Sequence, residues 1–227
     1  MSWIVPRIWQ GGDAWIIGGG PSITRQFEIP DEVVAKVLRK ELPISSYEAY
    51  LGAIRHKHTI GVNIAFLLGD WIDFAFFGDK GFLLKWQNDL KQFPKPKVSC
   101  NPVATKYPWI KFLDKDRNKN FGISNKPGRV SWNNNSGAAA INFAVHLGAK
   151  RIFLLGFDMQ LVNNHQHWHS QYHVGKSKPK SLPFAMHLQA FPDIATDAKK
   201  MGIEIINVSP DSRINVFPKV SLKEALQ

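Results

Sequence analysis

Six short runs rich in apolar, β-branched and aromatic residues set the strongest constraint on this chain: Ala14–Ile17, Thr59–Asn63, Ile72–Phe77, Val98–Cys100, Ile152–Leu155 and Glu204–Asn207. They alternate with stretches of helical period, and that alternation predicts an α/β fold with a mainly parallel sheet and helices on both faces. Three helices stand out. "DEVVAKVLRKEL", Asp31–Leu42, follows Pro30, with Asp31 placed to cap it. Lys80–Phe93 repeats apolar residues at helical spacing. Ser136–Leu147, "SGAAAINFAVHL", has a serine placed to cap its start, small residues that allow close packing, and Gly148 at its end.

Two segments break the pattern. Residues 94–129 hold short strand-like pieces among "DKDRNKN" and "NKPG", which predicts an irregular surface excursion. Residues 160–183 carry "NNHQHWHSQYHVGKSKPKSLP", polar, histidine-rich and basic at its end. A loop of that length in a compact domain is expected to act as a lid or a linker. With no internal repeat, all 227 residues are expected to form one domain.

Bulk properties narrow the classes of function. Hydrophobic residues make up 44% of the chain, which excludes a disordered polymer, and no apolar run is long enough to span a bilayer. The amino-terminal "MSWIVPRIWQGGD" lacks the parts of a signal peptide, and Cys100 has no intrachain cysteine to pair with, so a cytoplasmic location is expected. A formal net charge of +11 points to an anionic partner, with nucleic acid as the lesser alternative because no aromatic-interleaved basic motif accompanies the charge.

The residues suited to chemistry fall at predicted strand ends, where open parallel sheets gather ligands. "IIGGGPS" places Gly18, Gly19, Gly20, Pro21 and Ser22 after the first strand. Glycine-loop N–H groups can approach a phosphate closely, yet the loop lacks the Lys-Ser/Thr of a P-loop and the third glycine of G-x-G-x-x-G. By itself it reads equally as a turn. Asn63 ends "TIGVN", Asp79 ends "DFAFFGD" and Asp158 ends "LLGFD". Asp79 and Asp158 could hold a divalent ion such as magnesium against a diphosphate, or serve as caps. Ser136 and Gly137 open a helix whose amino terminus favours an anion, and "NVSPDS" puts Ser209, Asp211 and Ser212 in a turn after the last strand.

His165, His167, His169 and His173 lie within nine residues. An extended segment would align the first three, and a helix would align His165, His169 and His173. The run lacks the glutamate of H-E-x-x-H, which argues against a zinc hydrolase, so one histidine acting in proton transfer is the preferred reading, with an ordinary polar loop as its rival.

These segments together resemble a group of Rossmann-like proteins that includes bacterial CMP-sialic acid-dependent sialyltransferases and the DUF115/MAF-like proteins, among them archaeal pterin diphosphokinases. "IIGGGPS" is similar to the group's G-x-G-P-S loop, "GVN" to its strand-end asparagine, "NSGAAAINFAVHLGAKRIFLLGFDM" to its "SG…A…LG…I.L.G.D" block, and "NVSPDS" to the sialyltransferases' "CPNS". The basic charge and "HWH" look like phage-encoded relatives. The resemblance implies a Rossmann-like fold and a nucleotide or nucleotide-sugar donor held by the glycine loop, Asn63, Ser136–Gly137 and the Ser209–Ser212 turn. It also implies a lid histidine, His167 or His169, as base toward an acceptor hydroxyl. The chain departs from those enzymes at Gly19, where they commonly have asparagine. Diphosphate transfer from ATP with magnesium at Asp79 and Asp158 is a second expectation, and a nucleic-acid-associated phage scaffold a third.

Overall fold

A computed structural model describes residues 2–169, 171 and 183–227. His173 and the basic run Lys176–Lys180 of the expected lid lie outside the described residues. In chain order the elements are β1 (Asp13–Ile17), α1 (Ser22–Gln26), α2 (Asp31–Leu38), β2 (Thr59–Val62), β3 (Phe74–Phe77) and α3 (Lys80–Gln92). They continue with β4 (Lys97–Ser99), β5 (Ile110–Phe112), β6 (Asp114–Lys115), β7 (Arg129–Val130), α4 (Ser136–Leu147) and β8 (Arg151–Leu155). The last are α5 (Phe184–Leu188), α6 (Phe191–Lys200), β9 (Glu204–Asn207) and α7 (Leu222–Ala225). Short 3-10 turns occupy Ile44–Tyr50, Gly52–Ile54, Asn63–Leu68 and Pro102–Lys106.

Seven strands form one sheet in the order β5-β4-β3-β2-β1-β8-β9, and every pairing is parallel. The two-residue period of a strand explains the layers. Ala14 and Ile16 of β1, with Ile152 and Leu154 of β8, face a core that includes Ile141 and Phe143 of α4 and Ile194 of α6. Trp15 and Ile17, with Phe153 and Leu155, face the opposite core, which holds Val37 of α2, Tyr47, and Leu83 and Leu90 of α3. With both faces covered the molecule is a single Rossmann-like α/β domain, as the alternation of its sequence predicts. No helix among the described residues is long and apolar enough to cross a membrane.

Several local expectations need correction. Pro30, not Asp31, holds the N-cap of α2 and makes no side-chain cap bond; Asp31 instead starts the first turn, where its charge suits the helix dipole. That helix stops at Leu38, and the following turn takes Lys40 to φ +65. Asn135 caps α4, accepting from Gly137 N at 2.8 Å and Ala138 N at 3.3 Å, so Ser136 is freed from the capping role. Gly148 ends α4 in the left-handed region at φ +101, as glycine at that position should.

Residues 94–129 are more ordered than an irregular excursion. They supply β4 and the edge strand β5, and β6 pairs with β7 in a second, two-stranded ladder. Asn142, buried on α4, ties the stretch down: its Oδ1 accepts from Ser124 N at 2.7 Å and Ser131 N at 2.9 Å, and its Nδ2 donates to Ser124 O at 3.0 Å.

Candidate functional site

The strand order reverses direction between β1 and β8, and that is where an open parallel sheet leaves a crevice at its carboxyl edge. A cavity of about 380 Å³ lies there. Its walls include Gly18, Gly19 and Gly20 after β1, Asn63 after β2, Asp79 after β3, Ser136 and Gly137 at the start of α4, and Asp158 after β8. His167 also lines it. Nine expected residues, from six separate segments, thus converge on one space.

Asp158 organises the wall between β1 and β8. It is only 3% exposed, its Oδ2 accepts the Ser22 N–H at 2.8 Å, and its Oδ1 accepts the Ser22 hydroxyl. Ser22 Oγ also lies 2.8 Å from Ser209 Oγ, which joins the third strand-end turn to the network. Ser212 donates to Phe157 O at 2.6 Å. Ser22, Ser209 and Ser212 are therefore buried behind the cavity wall, holding β1, β8 and β9 turns together. Pro21 occupies the N-cap of the short α1, and Ser22 is its first residue.

Tight packing, and not an unusual backbone angle, explains two of the loop glycines. A Cβ on Gly20 would lie 2.5 Å from Asp158 Oδ2 and 2.7 Å from Gly156 O. A Cβ on Gly19 would lie 2.8 Å from His167 Nδ1, so a larger residue there, such as the asparagine common in the resembling enzymes, requires the His167 ring to move.

Asp79 holds the N-cap position of α3 but makes no side-chain cap bond; its carboxylate instead accepts from Ser136 Oγ at 3.3 Å, while Ser136 Oγ accepts from Gly78 N at 3.2 Å. Asn63 adopts the left-handed region at φ +52, a conformation asparagine tolerates, and its Oδ1 is buried without a hydrogen bond among the described residues. The same holds for Asn135 Nδ2 at the amino end of α4. An unpaired acceptor and an unpaired donor on cavity-lining side chains favour a polar ligand. No group of three or more His, Cys, Asp or Glu among the described residues could hold a metal ion, and both Asp158 oxygens already accept from Ser22.

In its described part, His165–His169, the histidine run is neither the strand nor the helix its spacing allowed. Val162 and His165 form a small antiparallel bridge, and residues 163–169 follow in turns and bends. His167 reaches the cavity, with Nδ1 3.3 Å from Gly19 O. His169 stacks on His167 with centroids 5.2 Å apart, is 4% exposed and is absent from the cavity wall. His165 is exposed and lines a neighbouring cleft beside α2.

Sequence reasoning missed His187. It lies on α5, lines the cavity and is half-buried. Burial lowers its pKa below the ordinary histidine value, and the negative charge of Asp79 partly opposes that shift. Its only sequence signal was its place just after the long loop. Trp132, Asn135, Phe157 and Met186 also line the cavity, whose described walls contain no lysine or arginine.

No family model matches the chain. Its fold is similar to that of the monofunctional α-2,3-sialyltransferase Cst-I from Campylobacter jejuni, with a TM-score of 0.56 at 18% identity, covering 97% of this chain and 83% of that one. CstII, a sialyltransferase of the same organism studied in complex with the substrate analogue cytidine-5'-monophosphate, gives a TM-score of 0.48 at 13% identity over 92% of this chain and 84% of the other.

Proposed function

We propose that the chain is a glycosyltransferase-type enzyme that binds a nucleotide-activated sugar in the switch-point cavity. One observation carries the reading. The segments whose sequences resemble the CMP-sialic acid-dependent enzymes, far apart in the chain, meet at this cavity or directly behind its wall. The fold shared with Cst-I, itself a sialyltransferase, supports the same class.

Group transfer from a nucleotide sugar asks for two things: a place for the charge on the departing nucleoside phosphate, and a base for the acceptor hydroxyl. With no lysine or arginine on the described walls, the dipole at the amino terminus of α4 and the Gly19 N–H of the glycine loop supply the first, since the Gly18 and Gly20 N–H groups already donate to Leu155 O and Gly156 O. His187 suits the second. Burial keeps its imidazole neutral near pH 7, ready to accept a proton, and Asp79 favours the imidazolium that results. The hydroxyl oxygen then bonds to the anomeric carbon as the bond to the phosphate oxygen breaks, and the hydroxyl proton passes to His187. His167, packed over Gly19, shapes the loop from the cavity side, and His169 supports it from behind.

Calorimetric titration with CMP, UMP, AMP and GMP and with their common sugar conjugates tests the assignment. Binding of one nucleotide, with a tighter sugar conjugate, is the expected result. Absence of binding to the whole panel overturns it.

A further inference from the structure

Trp168 does not line the cavity, yet it holds two successive carbonyls of the glycine loop. It is 1% exposed and sits in the core beneath the loop, edge-on to Tyr47 at 5.9 Å. Its indole Nε1–H donates to Gly18 O at 2.8 Å, and its backbone N–H donates to Gly19 O at 3.1 Å. Its own carbonyl accepts from Tyr47 Oη at 3.1 Å, so the strap is anchored from the far side.

In a planar trans peptide the C=O and the following N–H point in opposite directions. The loop displays this directly in the Gly19–Gly20 peptide: the Gly19 carbonyl faces Trp168, and the Gly20 N–H is turned to Gly156 O at 2.8 Å on the β8 side. The preceding peptide obeys the same geometry. With the Gly18 carbonyl fixed on the indole, the Gly19 N–H is directed away from Trp168, toward the side where Gly19 and Gly156 both line the cavity.

We infer that Trp168 is a positioning residue: through the Gly18 carbonyl it aims the Gly19 N–H at a phosphate oxygen of the bound nucleotide, an inference that rests on the nucleotide reading above. Tryptophan is suited to the task because its single donor lies at the edge of a large ring that the core holds rigid. The inference also gives "HWH" a meaning apart from its histidines: the tryptophan sets the loop, His167 packs over Gly19, and His169 stacks on His167.

Titrations of CMP and of cytidine, run in parallel on wild type and Trp168→Phe, read the effect. Phenylalanine keeps an aromatic ring in the core and removes the indole donor. Loss of the aimed N–H weakens CMP by about tenfold, the scale of one hydrogen bond to a charged group, and leaves cytidine affinity within twofold of wild type. Equal weakening of both ligands, or unchanged CMP affinity, overturns the inference, because a merely structural tryptophan does not distinguish a phosphate from its absence. Should Trp168→Phe fail to fold, Tyr47→Phe loosens the same strap at its outer anchor; the same selective loss for CMP is expected, and an unchanged CMP affinity overturns the inference. Wild-type protein that binds none of CMP, UMP, AMP and GMP overturns the nucleotide reading itself; where another of the four is the one bound, it and its nucleoside replace CMP and cytidine in these titrations, and wild-type binding with unaltered variants overturns only the role of Trp168.

Discussion

Asp158 holds Ser22 twice, through the backbone N–H at 2.8 Å and through the hydroxyl. A carboxylate buried at the end of β8 thereby fixes the turn that follows β1. Asp158→Asn keeps the shape but replaces one acceptor with a donor facing Ser22. It should lower unfolding free energy by about 2 kcal/mol, the value of a buried hydrogen bond to a charged group, as measured by urea denaturation. Asp158→Ala, which leaves both Ser22 groups without their acceptor, should cost more.

The two packed glycines should differ in their tolerance of a methyl group. Gly20→Ala drives a Cβ against backbone Gly156 O and the Asp158 carboxylate, neither of which can retreat. Overpacking of that kind costs about 1–3 kcal/mol. Gly19→Ala meets only the edge of the His167 ring, which can turn aside. Thermal melting should therefore rank wild type above Gly19→Ala and Gly19→Ala above Gly20→Ala; the reverse order of the two variants would show that the His167 ring is the less yielding neighbour.

If His187 is the base, activity should follow its deprotonation. Burial lowers its pKa, so the acidic limb of the kcat/KM profile should lie below the ordinary histidine value of 6.5. Asp79 works in the opposite direction, so Asp79→Asn should move that limb to still lower pH. His187→Ala should reduce kcat far more than nucleotide affinity. His167→Ala should instead affect donor binding first, and a profile unchanged by Asp79→Asn would separate the two side chains.

Stability should also depend on pH through histidines. Burial lowers the pKa of His146, whose Nε2 lies 2.6 Å from Arg129 O, as well as that of His187. The unfolded chain then takes up protons at higher pH than the folded one. Stability should be full above pH 6.5 and decline as the pH falls from there toward the lowered folded values, which urea midpoints at pH 7 and pH 5 would reveal.

Asn135 separates capping from ligand recognition. Asn135→Ala removes the acceptor for Gly137 N and Ala138 N, at a cost of about 1 kcal/mol. Asn135→Asp restores the acceptor but places a negative charge beside the proposed phosphate. Its melting temperature should match wild type while its nucleotide affinity falls.

The sheet was legible in the sequence because its strands are buried on both faces and read as continuous apolar runs; Glu204–Asn207 matches to the residue. The same holds for Ser136–Leu147, whose small residues fit a helix buried almost all round. Other parts carry weaker signals. β5 spans only Ile110–Phe112 and exposes Lys111, so no apolar run marks it. α5 has five residues, too few for a period, and His187 was hidden with it. In "NNNS" two good caps stand side by side, and only the coordinates decide that Asn135 holds the position. The convergence of Gly18–Gly20, Asn63, Asp79 and Asp158 followed from a general rule about strand ends, but the strap from Trp168 depends on side-chain direction, which periodicity does not encode.

The parallel pairing of β1 with β8, in register from Asp13↔Arg151 to Ile17↔Leu155, also bears on how the molecule comes into being. Ser22 and Asp158 stand 136 residues apart, and Ser22 and Ser209 stand 187 apart. Closing loops of that length carries a large entropic barrier before any contact compensates, which predicts slow folding for such a topology. During synthesis the first strand must wait, its central position in the sheet open on one side, until β8 has left the ribosome. The crevice that receives the ligand is therefore among the last features to exist, and a nucleotide present at that moment would act on the closing step of folding as well as on the finished protein.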